Sequence, residues 1–236
     1  MDDDARRTIA RRLAGVRGRV ADAALAAGRE PAEVQLVLAS KTMPVAAIDA
    51  ALRADEARAA GLSRVELGEN RVQELVAKAP SLVGLAPRWH VIGPLQSNKV
   101  NAALRWATCV QSVASLDLAT RLGARADGVL DVMVQVNVSD EPTKHGVAPD
   151  AAVALALDVS RVAGLRLVGL MTVGANSPDE AVVRSGYARL RDLRDEIAAA
   201  VPTATGLSMG MSRDLEAAIA EGATMVRVGS AVFGAR

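Results

Sequence analysis

The sequence is poor in aromatic residues and has a single cysteine. Phe, Trp and Tyr make up 2% of the 236 residues, so a large core has to be built from Ala, Val and Leu, within a hydrophobic fraction of 50%. The one cysteine, Cys109, excludes an internal disulfide and a cysteine-based metal cluster. We interpret it as a buried small hydrophobic residue, because it lies in the apolar run Ala107 to Val110.

A strong net charge and long apolar runs are also absent. The formal net charge is +1, which gives no electrostatic reason to expect nucleic acid or a charged membrane as a partner. No apolar run approaches the roughly 18 residues of a membrane span. The acidic start Met1-Asp2-Asp3-Asp4 has no apolar core of the signal-peptide type. We therefore expect a soluble, cytoplasmic protein that does not associate with membranes.

Short apolar runs alternate with helical patterns along the whole chain. Alternation at spacings of about 20 to 35 residues predicts parallel strands joined by right-handed crossovers. Eight such units favour an α/β fold of the closed (β/α)₈ TIM type over an open sheet. An extra amphipathic helix is predicted within residues 1–30. Without a linker-like run of Gly, Ser or Pro, we expect one domain over residues 1–236, with the barrel from 35 to 236. The predicted strands begin at Leu36, Val65, Arg88, Cys109, Val132, Leu165, Thr205 and Met225.

The first predicted strand leads directly to Lys41. The C-terminal ends of strands carry the chemistry of α/β barrels, and an unprotonated lysine amine there is a nucleophile towards carbonyls. The alternative is a solvated lysine that merely ends a strand. The barrel prediction favours the functional interpretation, because it brings polar strand-end residues to one mouth. These residues are Lys41, Asn70, His90, Asn137, Met171, Ser208 and Arg227.

Two glycine-serine turns follow the seventh and eighth predicted strands. The first is Gly206-Leu-Ser-Met-Gly-Met-Ser-Arg-Asp, before a helix that Ser212 is expected to cap, and the second is Gly229-Ser230. Barrels commonly build a phosphate site from these two loops; the alternative is a pair of ordinary tight turns. Together with Lys41, they predict a ligand that has both a carbonyl and a phosphate. Pyridoxal 5′-phosphate (PLP) fits, since its aldehyde would form a Schiff base with Lys41.

Several other residues near the predicted mouth have two interpretations. His90 either lines the pocket or fills the barrel. Asn70 either contacts the cofactor or only ends a strand. Met171 and Met209 are more often core residues than cofactor contacts. The two histidines of the sequence lack ligand spacing, so no metal site is predicted.

Several sequence blocks run in order from Ala39 to Gly234. They are Ala39-Ser-Lys-Thr, Gly68-Glu-Asn-Arg-Val-Gln-Glu, Trp89-His-Val-Ile-Gly-Pro-Leu-Gln-Ser-Asn-Lys, Gln135-Val-Asn, Thr143-Lys-His-Gly, Gly169-Leu-Met-Thr, Leu207-Ser-Met-Gly-Met-Ser-Arg-Asp and Val226-Arg-Val-Gly-Ser-Ala-Val-Phe-Gly. Together they resemble the pyridoxal phosphate homeostasis protein family, single-domain relatives of the alanine racemase N-terminal barrel. The N-terminal helix matches that family only in general character.

The resemblance implies PLP bound covalently to Lys41 and a phosphate held by the serine-glycine turns. It also implies that Arg227 faces the pyridine nitrogen. The cofactor-binding set that we predict is Lys41, Asn70, His90, Met171, Ser208, Met209, Gly210, Ser212, Arg227, Gly229 and Ser230. No catalytic residue is predicted. Family members are regarded as carriers or regulators of PLP and amino-acid pools, so we expect a non-catalytic protein of vitamin B6 homeostasis, with apo PLP-dependent enzymes as candidate recipients.

The alternative is a PLP-dependent amino-acid racemase. Racemisation needs a second acid-base group opposite the lysine, and in the alanine racemase family a tyrosine of a separate C-terminal domain of the partner subunit supplies it. The sequence ends at Arg236, just past the eighth strand, and its one tyrosine, Tyr187, is predicted in a helix outside the barrel. These features favour the carrier. We expect a monomer, because that C-terminal domain makes the main dimer contact of the racemases.

Overall fold

The computed structural model describes residues 1–139, 141 and 143–234. Its strands are parallel and close into a barrel in the order β1-β2-β3-β4-β5-β6-β7-β8. The predicted (β/α)₈ barrel is therefore confirmed. The strands are β1 Gln35–Ala39, β2 Glu66–Glu69, β3 Trp89–Val91, β4 Ala107–Val113, β5 Leu130–Gln135, β6 Leu165–Met171, β7 Gly206–Ser208 and β8 Met225–Val228.

A helix follows every strand of the barrel, and one further helix precedes the first strand. The helices are α1 Asp3–Ala26, α2 Val45–Ala54, α3 Val72–Leu82, α4 Val100–Leu104, α5 Leu116–Gly123, α6 Pro149–Ser160, α7 Glu180–Ala200, α8 Leu215–Ala220 and α9 Ser230–Phe233. Their apolar faces pack on a barrel whose apolar side chains are mostly Val and Leu. This arrangement buries both faces of the strands, which is why β1 is a nearly continuous apolar run. It also buries the polar residues Glu66 and Glu69 of β2.

The N-terminal helix α1 is part of the packed structure, as predicted. Its buried residues are Ile9, Leu13, Val16, Val20 and Ala24, and they face α2, α8 and α9. Asp2 caps the helix by accepting a hydrogen bond from the backbone of Ala5 at 2.8 Å. Arg19 forms a two-pronged ion pair with Glu216 of α8, at 2.7 and 2.9 Å. The helix therefore braces the part of the barrel that follows β7.

The predicted cap at Ser212 is wrong. Helix α8 begins at Leu215, and Asp214 occupies the N-cap position. Asp214 Oδ1 accepts a hydrogen bond from Met211 N at 2.7 Å, which closes a turn before the helix starts. Ser212 lies inside that turn, and its hydroxyl oxygen accepts a hydrogen bond from Ala231 N instead.

Some sequence predictions concern positions outside the described residues. Positions 140 and 142 belong to the predicted polar loop Ser139 to Gly146. Positions 235 and 236 form the end of the predicted barrel. Among the helices of the described ranges, none combines the length and the apolar character needed to cross a bilayer. The assignment of residues 1–236 to one domain stays a prediction.

Candidate functional site

A cavity of about 700 Å³ opens at the C-terminal ends of β1, β6, β7 and β8. This volume suits a small-molecule ligand, and this end of a barrel is where such sites are built. The cavity is lined by the turn after β1, by the loop over residues 173–178, by the turn after β7 and by the β8–α9 junction. The site therefore occupies one side of the barrel mouth.

Lys41 follows β1 directly and lines this cavity. Its side chain is exposed, and within the described ranges its amine has no hydrogen bond or ion pair. Closure of the barrel pairs β1 with β8, and a Cβ added at Gly229 would lie 3.0 Å from the carbonyl oxygen of Ala39. The lysine and the Gly229-Ser230 turn are therefore neighbours, although they lie far apart in the sequence.

Lys41 is carried by a tight turn, closed by a hydrogen bond from Met43 N to Ser40 O at 3.0 Å. Thr42, the third residue of this turn, has φ +62°. This left-handed conformation favours glycine at that position of a turn, and for other residues it costs about 1–2 kcal/mol. The turn is therefore strained beside the residue predicted to bind the cofactor.

Arg227 lines the floor of the cavity and is otherwise buried. It donates hydrogen bonds to Ser208 Oγ and to Thr172 O, both at 2.6 Å. Burial lowers the pKa of Arg227 to about 10, and interactions with Tyr187 and Asp214 oppose that change. The guanidinium is therefore a fixed cation at neutral pH, oriented by two buried acceptors.

A line of hydrogen bonds runs from Arg227 through the interior of the barrel. Ser208 Oγ accepts from Arg227 and donates to Gln111 Oε1 at 2.7 Å. Gln111 Nε2 contacts His90 Nδ1 at 2.7 Å, and His90 Nε2 lies 2.7 Å from Glu66 Oε2. We call these five residues the axial chain. From Arg227 to His90, each donor points away from Arg227 when Gln111 donates to His90 Nδ1.

The axial chain ends near the opposite face of the barrel. Glu66 Oε1 lies 3.1 Å from the guanidinium of Arg88. Burial by itself raises the pKa of Glu66, but the hydrogen bond and charge interaction with His90 and the charge of Arg88 outweigh it, so the net pKa is lowered. A buried carboxylate thus stays charged because it is paired.

The serine-glycine turns have different accessibilities. Ser212 is half-buried, and its Oγ accepts a hydrogen bond from Ala231 N at 3.4 Å, whereas Ser230 is exposed. Both serines and Gly229 line the cavity. Gly210 has φ +87°, and a Cβ there would lie 2.5 Å from the Cβ of Ala218. Only glycine lets the β7 turn pack this closely on α8.

Tyr187 lies in an outer helix, as predicted, but its side chain reaches a residue that lines the cavity. Helix α7 belongs to the outer layer, but the Tyr187 ring is fully buried and its hydroxyl donates to Asp214 Oδ2 at 2.6 Å. Asp214 in turn lines the cavity. Burial and the neighbouring carboxylate raise the pKa of Tyr187, which holds it as a neutral donor at the wall of the site.

The structure brings together only part of the predicted cofactor-binding set. Five of the eleven predicted residues line the cavity, namely Lys41, Ser212, Arg227, Gly229 and Ser230. The other six do not line it, namely Asn70, His90, Met171, Ser208, Met209 and Gly210. His90 and Ser208 fill the barrel interior, and Met171 and Met209 are fully buried core residues. Direct contact of these six residues with a cofactor stays a prediction.

The strand ends do not converge on one space as we expected. The loops after β3, β4 and β5 face a second cavity of about 470 Å³, which Ser112, Gln135 and His145 help to line. Asn70 belongs to neither lining; a Cβ at Gly93 would lie 2.4 Å from its carbonyl oxygen. The lining residues at the mouth thus fall into two cavities rather than one.

Sequence reasoning missed Lys144 as a cavity residue. Its amine donates to Gly174 O at 2.8 Å and to Glu141 Oε1 at 2.7 Å, and its side chain borders both cavities. The Thr143-Lys-His-Gly block marked this position without giving it a role. The loop over residues 173–178 contains the turn-forming residues Gly174, Asn176, Ser177 and Pro178, but it has no charged side chain that would have marked it as part of a site.

Comparison with known proteins places this geometry in a family. The sequence matches the family described as alanine racemase, N-terminal domain, over residues 22–236. It is 46% identical, over 232 residues, to the pyridoxal phosphate homeostasis protein of Pseudomonas aeruginosa, across 97% of this chain and 96% of that protein. The chain belongs to the pyridoxal phosphate homeostasis protein family. The resemblance drawn from the sequence blocks is thereby confirmed.

Solved structures extend the similarity to the whole barrel. An unknown protein from Bifidobacterium adolescentis matches with a TM-score of 0.92 at 38% identity, over 99% of this chain and 97% of that one. PipY of Synechococcus elongatus, in its structure with PLP bound, matches with a TM-score of 0.80 at 34% identity, over 96% of this chain and 100% of PipY. Membership of the pyridoxal phosphate homeostasis protein family therefore rests on both sequence and fold.

Proposed function

We propose that this chain binds PLP in the cavity beside Lys41 and carries or buffers it in vitamin B6 and amino-acid homeostasis. The observation that carries the proposal is the amine of Lys41, which has no hydrogen-bond or ion-pair partner among the described residues and lines the same cavity as a buried guanidinium and two serine-bearing turns. The names of the relatives and the PLP-bound structure of PipY support it. The residues present fit the cofactor, because they offer a nucleophile at one end and anion-binding groups at the other.

The phosphate would be held by the β7 and β8 turns. Ser212 and Ser230 supply hydroxyl donors, and Gly229 leaves the backbone accessible. Four basic side chains line the cavity against three carboxylates, so a small excess of positive charge favours an anion; the basic residues are Lys41, Lys144, Arg213 and Arg227, and the acidic ones are Glu180, Asp214 and Glu216. Hydrogen bonds to charged groups are the stronger class, so these turns would contribute much of the affinity.

The covalent link would form at Lys41. Its unprotonated amine would attack the aldehyde carbon, a carbon–nitrogen double bond would form, and one water would leave with the carbonyl oxygen and the two amine hydrogens. Lys41 is suited to this reaction because it lines the cavity and is exposed to solvent, so an aldehyde that enters from solution can reach its amine. The same exposure would let water reverse the link, as a carrier requires.

The chain's own residues favour a carrier over a catalyst. When bound, PLP supplies an electron-withdrawing ring, which acts best when its nitrogen is protonated against a carboxylate. By analogy with the racemase barrel, Arg227 would face that nitrogen, and a permanent cation cannot accept the proton. Tyr187, the one tyrosine, is buried and already donates to Asp214. It is therefore not free to act as an acid-base group opposite Lys41.

The proposal is tested with the purified protein and an absorbance spectrum. After addition of PLP, a visible band should appear, and borohydride should fix the cofactor to the Lys41 peptide in a mass spectrum. Lys41→Ala should abolish both signals while thermal unfolding shows that the variant is folded. An unchanged band and an unchanged labelled peptide in Lys41→Ala would remove Lys41 from the proposal.

The second candidate function is amino-acid racemisation, favoured by the match to the alanine racemase N-terminal domain. The PLP-loaded protein is incubated with L-alanine in deuterated water. We expect negligible exchange at the α-carbon. Steady formation of D-alanine with deuterium incorporation, lost in Lys41→Ala, would favour the racemase instead.

Other predicted properties remain proposals. We expect apo PLP-dependent enzymes to be the recipients, and we expect a monomeric, cytoplasmic protein without nucleic-acid partners. Size-exclusion chromatography with light scattering measures the oligomeric state. Mixing the loaded protein with an apo enzyme, and following the return of that enzyme's activity, measures transfer.

A further inference from the structure

The turn that carries Lys41 is held at both ends by side chains of α3. Glu74 Oε2 accepts a hydrogen bond from Thr42 N at 2.6 Å. Lys78 Nζ donates to Ser40 O at 2.9 Å. The residue on each side of Lys41 is therefore attached through its backbone to the same helix, one turn apart along it.

These side chains are connected in turn to each other and to β2. Lys78 Nζ lies 2.7 Å from Glu69 Oε1 and 2.8 Å from Glu74 Oε2. Glu69 also accepts a hydrogen bond from Ser40 Oγ at 2.8 Å. Lys78 is 8% exposed and Glu69 is 1% exposed, so the ion pair between these two residues is screened little by water. We call Glu69, Glu74 and Lys78 the Lys78 clamp.

The turn needs such support because its own sequence disfavours its shape. Thr42 is β-branched and has φ +62°, which is an outlier for that residue type. A residue in this region persists only where the surrounding structure holds it. The hydrogen bond from Thr42 to Glu74 lies at the strained residue itself.

We propose that Glu74 is a positioning residue for Lys41, which holds the turn so that the lysine amine faces the cavity. Lys78 supports it by fixing the carboxylate of Glu74 and the carbonyl of Ser40. Glu74 is absent from the cavity lining, and it acts through the backbone of Thr42. The inference rests on the proposed function, because it concerns the covalent hold of Lys41 on PLP.

The test compares two ligands in Glu74→Ala and in the wild type. PLP bonds to Lys41, whereas pyridoxine 5′-phosphate has an alcohol in place of the aldehyde and binds only non-covalently. We expect the variant to bind PLP about tenfold more weakly (roughly 1.4 kcal/mol) and pyridoxine 5′-phosphate within about twofold of the wild type. A role in general stability would weaken both ligands alike, and that result would overturn the proposal.

Asp49→Ala serves as the matched control. Asp49 forms an i,i+4 ion pair with Arg53 on α2 at 3.0 Å, of the same type as the pair between Glu74 and Lys78, and it does not touch the Lys41 turn. Both ligands should bind Asp49→Ala as they bind the wild type. A tenfold loss for PLP in this control would show that the effect in Glu74→Ala is not specific to the turn.

A rescue experiment tests the part played by strain. Glycine adopts positive φ without steric cost, so Thr42→Gly in the Glu74→Ala background should keep the turn in shape without the hydrogen bond to Glu74. We expect the double variant to recover about threefold or more of the lost PLP affinity. A double variant no tighter than Glu74→Ala would overturn the argument from strain.

Failure of this inference is distinct from failure of the proposed function. If wild-type protein gives no visible band with PLP, or Lys41→Ala keeps it, the proposed function fails and the inference with it. If the wild type gives the band and Glu74→Ala titrates identically, only the inference fails.

Discussion

The axial chain predicts that two buried serines of the barrel respond oppositely to the same substitution. Ser208 Oγ accepts from Arg227 at 2.6 Å and donates to Gln111 at 2.7 Å. Ser112 is also buried, at 4% exposure, but its Oγ has no hydrogen-bond partner in the part of the chain that the structure describes. Ser208→Ala and Ser112→Ala each remove one hydroxyl oxygen and so change the side-chain volume equally. The difference between their effects on the free energy of unfolding therefore reports the contribution of the hydrogen bonds of Ser208.

The magnitudes follow from what each serine bonds. Loss of a hydrogen bond to the charged Arg227 costs about 1.5–3 kcal/mol, and loss of the neutral one to Gln111 about 0.5–1.5 kcal/mol. Ser208→Ala should therefore lower the free energy of unfolding by about 2–4.5 kcal/mol. Ser112→Ala removes an unpaired buried hydroxyl, so its effect should be near zero or stabilising by up to about 1 kcal/mol.

Urea unfolding of the protein without cofactor, followed by circular dichroism, measures both variants against the wild type. Thermal unfolding provides a second measurement: a chain of this length loses about 2–4 °C in Tm per kcal/mol, so Ser208→Ala should lower Tm by about 4–18 °C. Equal free energies of unfolding for the two variants, with equal m-values, would refute the idea that the axial chain stabilises the barrel.

Three further predictions concern the ligand site, acid stability and the buried thiol. Replacing Ser212 or Ser230 by Ala should weaken PLP about ten- to a hundredfold and pyridoxal little, because one hydrogen bond to a charged phosphate is lost; equal losses in titrations with both ligands would remove the phosphate from these turns. Glu66→Gln should reduce the loss of stability in acid. Since pairing with His90 lowers the folded pKa of Glu66, its contribution is present above the unfolded pKa of about 4.3 and disappears as pH falls through the folded value; parallel urea midpoints of wild type and variant across that window would contradict this. Burial raises the pKa of the Cys109 thiol, so a thiol reagent at about pH 8 should label Cys109 only after unfolding, and rapid labelling of the native protein would show that the strand opens.

The overall barrel was predictable because its signals are local. Most strands contain a short apolar run, and the longer helices repeat apolar residues at helical spacing, so element type follows from neighbours along the chain. The cap of α5 is a local feature of the same kind, because Ser115 Oγ accepts a hydrogen bond from Leu118 N, three residues on, at 3.3 Å. The cap at Ser212 was wrong because Asp214, two residues on, competes for the same turn.

Side-chain direction at the mouth was not predictable from the sequence. His90 and Ser208 stand at strand ends in the sequence, but the register of the strands turns them into the barrel, where Gln111 joins them. Tyr187 was predicted outside because its helix is outside. Its ring points inward because the packing of α7 against α8 presents it to Asp214.

The sequence by itself determined an eight-unit barrel with Lys41 at the end of the first strand, and serine-glycine turns after the last two. Tertiary structure alone decided that these turns lie beside Lys41, since only barrel closure pairs β1 with β8. It also decided that α3 supports the Lys41 turn through Glu74 and Lys78. The physical reason is that these contacts join residues distant in the chain, and their geometry depends on strand register and helix packing, which no local pattern encodes.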